Sequence, residues 1–128
     1  MEFFRDLSNV SVESADLKTL VTIKNLPELC DSIDTVIHDN GNDGAIYCLW
    51  GEFKVNREEL KHGIRFSMPG CPNALAWTVT ADQDENSVVI HCTINKRSHD
   101  PDFIESIELF VDDWAEGLNK ALRLAHKH

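Results

Sequence analysis

From Asp100 to the C-terminus, apolar residues return every three or four positions: Phe103, Ile104, Ile107, Phe110, Val111, Trp114, Leu118, Ala121, Leu122 and Ala125. That recurrence marks one face of a helix. Asp100 is placed as its N-cap, and Pro101 takes the first helical position. Asp102, Glu105 and Glu108 come early and Lys120, Arg123 and Lys127 come late, which complements the helix dipole. Some 25 residues make a rod of roughly 37 Å, enough to cross a small sheet. A chain of 128 residues has room for one core, so residues 1–128 are expected to form a single domain. The rod then needs a layer to lie on.

The remaining sequence supplies that layer. Leu17, Thr19, Val21 and Ile23 alternate in the β sense. Asn25 offers a helix N-cap, and Leu26, Leu29, Cys30, Ile33, Val36 and Ile37 follow at helical spacing. Asn40 to Gly44 ends that helix. Ala45 to Val55 reads as the strongest strand, and Asn56 to His62 as a polar turn. Ile64, Phe66 and Met68 make a short strand that Pro69-Gly70 stops. Leu75 to Ala81 and Val88 to Ile94 alternate as a hairpin. Residues 1–13 give no clear element, although Phe3, Phe4, Leu7 and Val10 call for docking on the core. The predicted fold is α+β: an antiparallel sheet of about five strands packed against a long C-terminal helix, with one shorter helix after the first strand.

This layout resembles the helix-grip arrangement of START-like domains (the SRPBCC superfamily). The resemblance runs from about Leu17 to His126, with Trp114 and Leu118 on the closing helix. It implies a curved antiparallel sheet wrapped around the final helix, with an apolar ligand held between them. The family has no universal catalytic residues. It usually has two short helices after the first strand and more strands than the five read here. Phe110, Trp114 and Leu118 also fit a Phe-x-x-x-Trp-x-x-x-Leu spacing similar to bacterial secretion chaperones. That second resemblance implies a protein-protein adaptor or chaperone-like dimer, using its acidic surface and an apolar sheet patch.

Charge narrows the partners. Asp and Glu total 22 against 12 Lys and Arg, a formal net charge of −10. Such a surface repels nucleic-acid phosphates and anionic membranes. No apolar run approaches the roughly 20 residues that span a bilayer, and MEFFRDLSNV lacks a signal-peptide pattern. A cytoplasmic location is expected. The four cysteines (Cys30, Cys48, Cys71, Cys92) are spaced too widely for a structural zinc site and read as reduced thiols.

No cofactor or metal is called for. Asp39 to Gly44 hints at a calcium loop, but position three is Gly41 and position twelve is Trp50. His91 and Cys92 are neighbours on a strand and point to opposite faces. His126 and His128 lie at a chain end, where metal capture is adventitious. Cys71 sits in the break between two strands, beside Pro72, and is a candidate exposed thiol. The acids from Asp100 to Glu116 form a solvated helix face or a docking surface for a basic partner. No nucleophile–base pair and no phosphate loop is visible, so a binding module is expected rather than an enzyme. Candidate ligand-binding residues are Phe66, Met68, Trp77, Ile107 and Trp114, between sheet and helix. Ile46, Cys48, Trp50 and Val89 are candidate interface residues for a homodimer.

Overall fold

The computed structural model describes residues 1–8, 10–82, 84–95 and 100–126, with side chains described as far as residue 124. The two terminal histidines therefore fall outside the described side chains. The chain runs β1 (Glu2–Ser8), α1 (Ser14–Leu20), α2 (Leu26–Leu29), β2 (Ile33–Asp39), β3 (Asp43–Cys48), β4 (Gly51–Glu59), β5 (Gly63–Ser67), β6 (Ala76–Asp82), β7 (Ser87–Thr93) and α3 (Pro101–His126). The seven strands form one antiparallel sheet in the order β1-β7-β6-β5-β4-β3-β2. The first strand pairs with the last, and the rest follow as a meander.

Burial alternates cleanly along the hairpin. Trp77, Val79 and Ala81 of β6 and Val88, Ile90 and Cys92 of β7 face the core, and Thr78, Thr80, Val89 and His91 face outward. The inner face is covered by α3, which packs on β1, β7 and α2. Ile107, Phe110, Val111, Trp114 and Leu118 are all buried, so the apolar stripe of α3 is its sheet-facing side. Asp100 Oδ1 accepts from the Asp102 N–H at 2.9 Å, serving the exposed donors of the first turn.

The expected sheet, hairpin and long helix are present, but five strands undercounts the seven. The N-terminal segment read as irregular contains β1, whose residues Glu2 to Ser8 pair with Thr93 to Ser87. The single strand expected from Ala45 to Val55 is a hairpin. Its closing pair is Cys48 with Gly51, so Leu49 and Trp50 form the turn and Gly51 takes φ +113°. Leu-Trp carries no turn signature, and the left-handed glycine after it was the only clue. β4 also continues to Glu59, through what reads as a polar turn.

Two further differences have one kind of cause, an ambiguous period. Leu17 and Val21 are four apart, which fits both β alternation and a helical i, i+4 pair. The structure takes the helical option, with Leu17 buried on α1 and Val21 as its C-cap. Ile33 and Val36 read as helical because they are three apart. They lie on β2, where bulges between Ile33 and Thr35 and between Val36 and His38 break the two-residue period. The helix expected from Asn25 to Ile37 is present only as the single turn α2, while α1 occupies the segment expected to be the first strand.

Two contacts fasten these pieces. Arg57 of β4 is buried on the inner face, where its Nε donates to Val21 O at 2.9 Å and its Nη2 to Lys18 O at 2.8 Å. It thereby satisfies carbonyls at the end of α1. Gly117 of α3 lies against α2: a Cβ there would stand 2.2 Å from the Leu29 carbonyl oxygen.

Candidate functional site

At one end of the grip, where α3 begins, the sheet and helix part to leave an apolar cleft of about 190 Å³. The β3–β4 turn and β4 supply Trp50 and Phe53, the β5–β6 connection supplies Met68, Cys71 and Leu75, and α3 supplies Phe103. Backbone bonds hold the connection in shape: Cys71 N–H to Met68 O at 3.0 Å, Ala74 N–H to Cys71 O at 3.1 Å and Met68 N–H to Leu75 O at 3.1 Å. Across the cleft, Trp50 Nε1 donates to Ser106 Oγ at 2.9 Å, and that hydroxyl donates to Phe103 O at 2.6 Å.

A chain of aromatic rings leads inward from this rim. Trp50 lies 6.2 Å from Phe103 and 5.1 Å from Phe110, centroid to centroid. Phe110 meets Trp77 edge-on at 5.0 Å. Trp77 in turn lies 6.2 Å from Trp114 and 5.2 Å from Phe66. Trp77 and Trp114 are fully buried, and among the described residues neither indole N–H has a hydrogen-bond partner. Buried donors are nearly always paired, so two adjacent exceptions in one core are unusual.

The five ligand-binding candidates, Phe66, Met68, Trp77, Ile107 and Trp114, are all buried between sheet and α3. Met68 lines the cleft; deeper in, Phe66 stacks on Trp77, and Trp114 packs tilted against both. Phe53, Leu75 and Phe103, outside that set of five, also line the cleft. Their signal was positional: each flanks a turn or a helix start at the same end of the sheet.

The four interface candidates do not share a face. Ile46 and Cys48 are buried in the core, Val89 faces outward on β7, and Trp50 packs on Phe103 and Phe110. The two-residue turn explains the split, because it ends the alternation that put Trp50 with Ile46 and Cys48. The Phe110, Trp114 and Leu118 stripe is likewise buried and not displayed.

All four cysteines are free. Burial pushes the Cys92 thiol up to about 12, with the neighbouring Cys71 adding to the rise. Burial also raises Cys30 and Cys48. Cys71, half-buried on the cleft rim, is the most accessible of the four. His91 and Cys92 point to opposite faces; His91 stacks on Phe4 at 4.2 Å and meets Glu2 at 3.0 Å. Among the described residues no group of three His, Cys, Asp or Glu side chains could hold a metal ion.

Three acids of the run on α3 have partners from other elements. Glu108 and Asp112 each lie 2.6 Å from the Arg5 guanidinium, and Asp113 accepts from the Ser32 hydroxyl. Hydrogen bonds to Asp112 and then Glu108 raise Arg5 above its ordinary value. Among the described residues no helix is long and apolar enough to cross a membrane.

A second, wider groove of about 650 Å³ runs beside α1, past Val12, Leu20 and Leu122, with Glu13, Asp16 and Asn25 on its walls. Its walls are more apolar than polar, and it is more open to solvent than the cleft. No family model matches this chain, and no curated protein matches it.

Proposed function

We propose that this protein is a binding module of the helix-grip type that holds a small apolar ligand between its sheet and α3. The observation that carries the reading is the cleft of about 190 Å³ among Trp50, Phe53, Met68, Cys71, Leu75 and Phe103. It opens at the seam between sheet and helix, and aromatic rings continue from it toward Phe66, Trp77, Ile107 and Trp114. The order β1-α1-α2-β2-to-β7-α3 also supports the START-like resemblance, since it supplies the two short helices and the additional strands of that family.

Size limits the guest. An engineered apolar cavity of about 150 Å³ binds benzene, so this cleft suits one substituted ring or a short alkyl chain. The lining offers hydrophobic transfer and dispersion and no charge.

The test is calorimetric titration with propylbenzene, a neutral single-ring probe. Saturable one-to-one binding is expected. Cys71→Phe, which fills the cleft from its rim, should weaken it tenfold or more while leaving the melting temperature within a few degrees. Absence of saturable binding, or equal binding by Cys71→Phe, contradicts the reading.

A further inference from the structure

We infer that the ligand class is a one-ring apolar molecule carrying a hydrogen-bond acceptor of the carbonyl type, read by the buried indole N–H of Trp77 or Trp114. The inference rests on the ligand-binding reading above and goes further by assigning the chemistry that selects the guest. Its basis is the pair of orphaned donors. Both residues are fully buried, their rings lie 6.2 Å apart, and no described acceptor serves either nitrogen.

An indole N–H can only donate, so what it selects must accept. Surrounded by Phe66, Phe110 and the opposite indole, the donors present their polarity inside an apolar enclosure. A ketone or ester oxygen on an otherwise apolar ring matches that arrangement. A purely hydrocarbon guest leaves the donors unpaired, and a charged guest leaves its charge uncompensated. Phe110 is the ring between the cleft and these donors, 5.1 Å from Trp50 on one side and 5.0 Å from Trp77 on the other. Phe110 is buried and neither tryptophan lines the cleft, so that side chain must turn for a guest seated against Trp50 and Met68 to extend its oxygen inward.

Acetophenone and α-methylstyrene have the same shape and differ by C=O against C=CH2. Each is titrated into the wild type, Trp77→Phe and Trp114→Phe, which keep an aromatic ring and remove one donor. The acetophenone-to-α-methylstyrene affinity ratio should fall about fivefold or more in at least one variant. Comparing ratios cancels the different water solubility of the two compounds and any general loosening of the core. In the wild type, acetophenone should also shift the indole N–H resonance of Trp77 or Trp114 downfield, with no such shift from α-methylstyrene; this arm does not depend on the variants folding. An unchanged ratio in both variants, or equal indole shifts from the two compounds, overturns the assignment while leaving apolar binding intact. Failure of both compounds to bind the wild type overturns the ligand-binding reading itself.

Discussion

Trp50 Nε1 donates to Ser106 Oγ across 2.9 Å, tying the β3–β4 turn to the second turn of α3. The bond joins two segments 56 residues apart and sets one wall of the cleft against another. Ser106→Ala should cost about 0.5–1.5 kcal/mol in urea denaturation, the net worth of an ordinary hydrogen bond. Trp50→Phe keeps a ring over Phe110 and should lose a similar amount. The double variant should lose less than the sum, because both changes remove the same bond.

Arg57 makes a stronger prediction. Its guanidinium is buried and serves the carbonyls of Lys18 and Val21, with Glu59 3.4 Å away at the exposed side. Arg57→Met keeps the stem and removes the donors, leaving two carbonyls at the end of α1 without them. A loss of about 2–4 kcal/mol is expected. Arg57→Lys should recover only part of it, since one ammonium cannot reproduce the planar fork. Equal stability of Arg57→Met and the wild type would contradict this account of how α1 is held.

Gly117 is required by proximity. A methyl at this position meets the Leu29 carbonyl oxygen at 2.2 Å, and a backbone carbonyl cannot turn aside as a side chain can. Gly117→Ala raises intrinsic helix propensity and on an exposed helix would stabilise. Here it should destabilise by about 1–3 kcal/mol by forcing α2 away from α3. The sign of the change in melting temperature decides the point.

The thiols predict both a labelling pattern and a pH window. Iodoacetamide at mildly alkaline pH should modify Cys71 in the native protein and spare Cys30, Cys48 and Cys92, as read by peptide mass spectrometry. For Cys92 the folded value is raised to about 12 from an ordinary 9.0, mainly by burial. The stability this confers is complete below pH 9, where the thiol is protonated in both states. It is lost as pH rises from 9 to about 12, because the unfolded thiol ionises first. Stability of Cys92→Ala should therefore fall less steeply across that window than that of the wild type.

What the sequence disclosed depended on whether its periods were unambiguous. The α3 stripe from Ile107 to Leu118 admits one reading, and so does the β6–β7 hairpin, so both were legible. Leu17 with Val21, and Ile33 with Val36, each fit two periods, and tertiary pairing chose between them. β1 was hidden because its partner β7 lies some 85 residues away, and a strand added at a sheet edge needs little apolar pattern of its own. The deep part of the candidate site was legible, since Phe66, Trp77 and Trp114 are inward on elements of clear period. The rim was not, because Trp50, Phe53 and Phe103 meet only once the hairpin turns at Leu49–Trp50 and α3 crosses it.

The measurement that tests the central claim most directly is titration of propylbenzene into 15N-labelled protein, following its three indole N–H signals and the backbone amides. The account predicts saturable shifts at the Trp50 indole and at Met68, Cys71 and Leu75. Val12, Thr19 and Leu20, which line the groove beside α1, should stay unmoved. Shifts confined to that groove, or none at any concentration the ligand reaches in water, would contradict it.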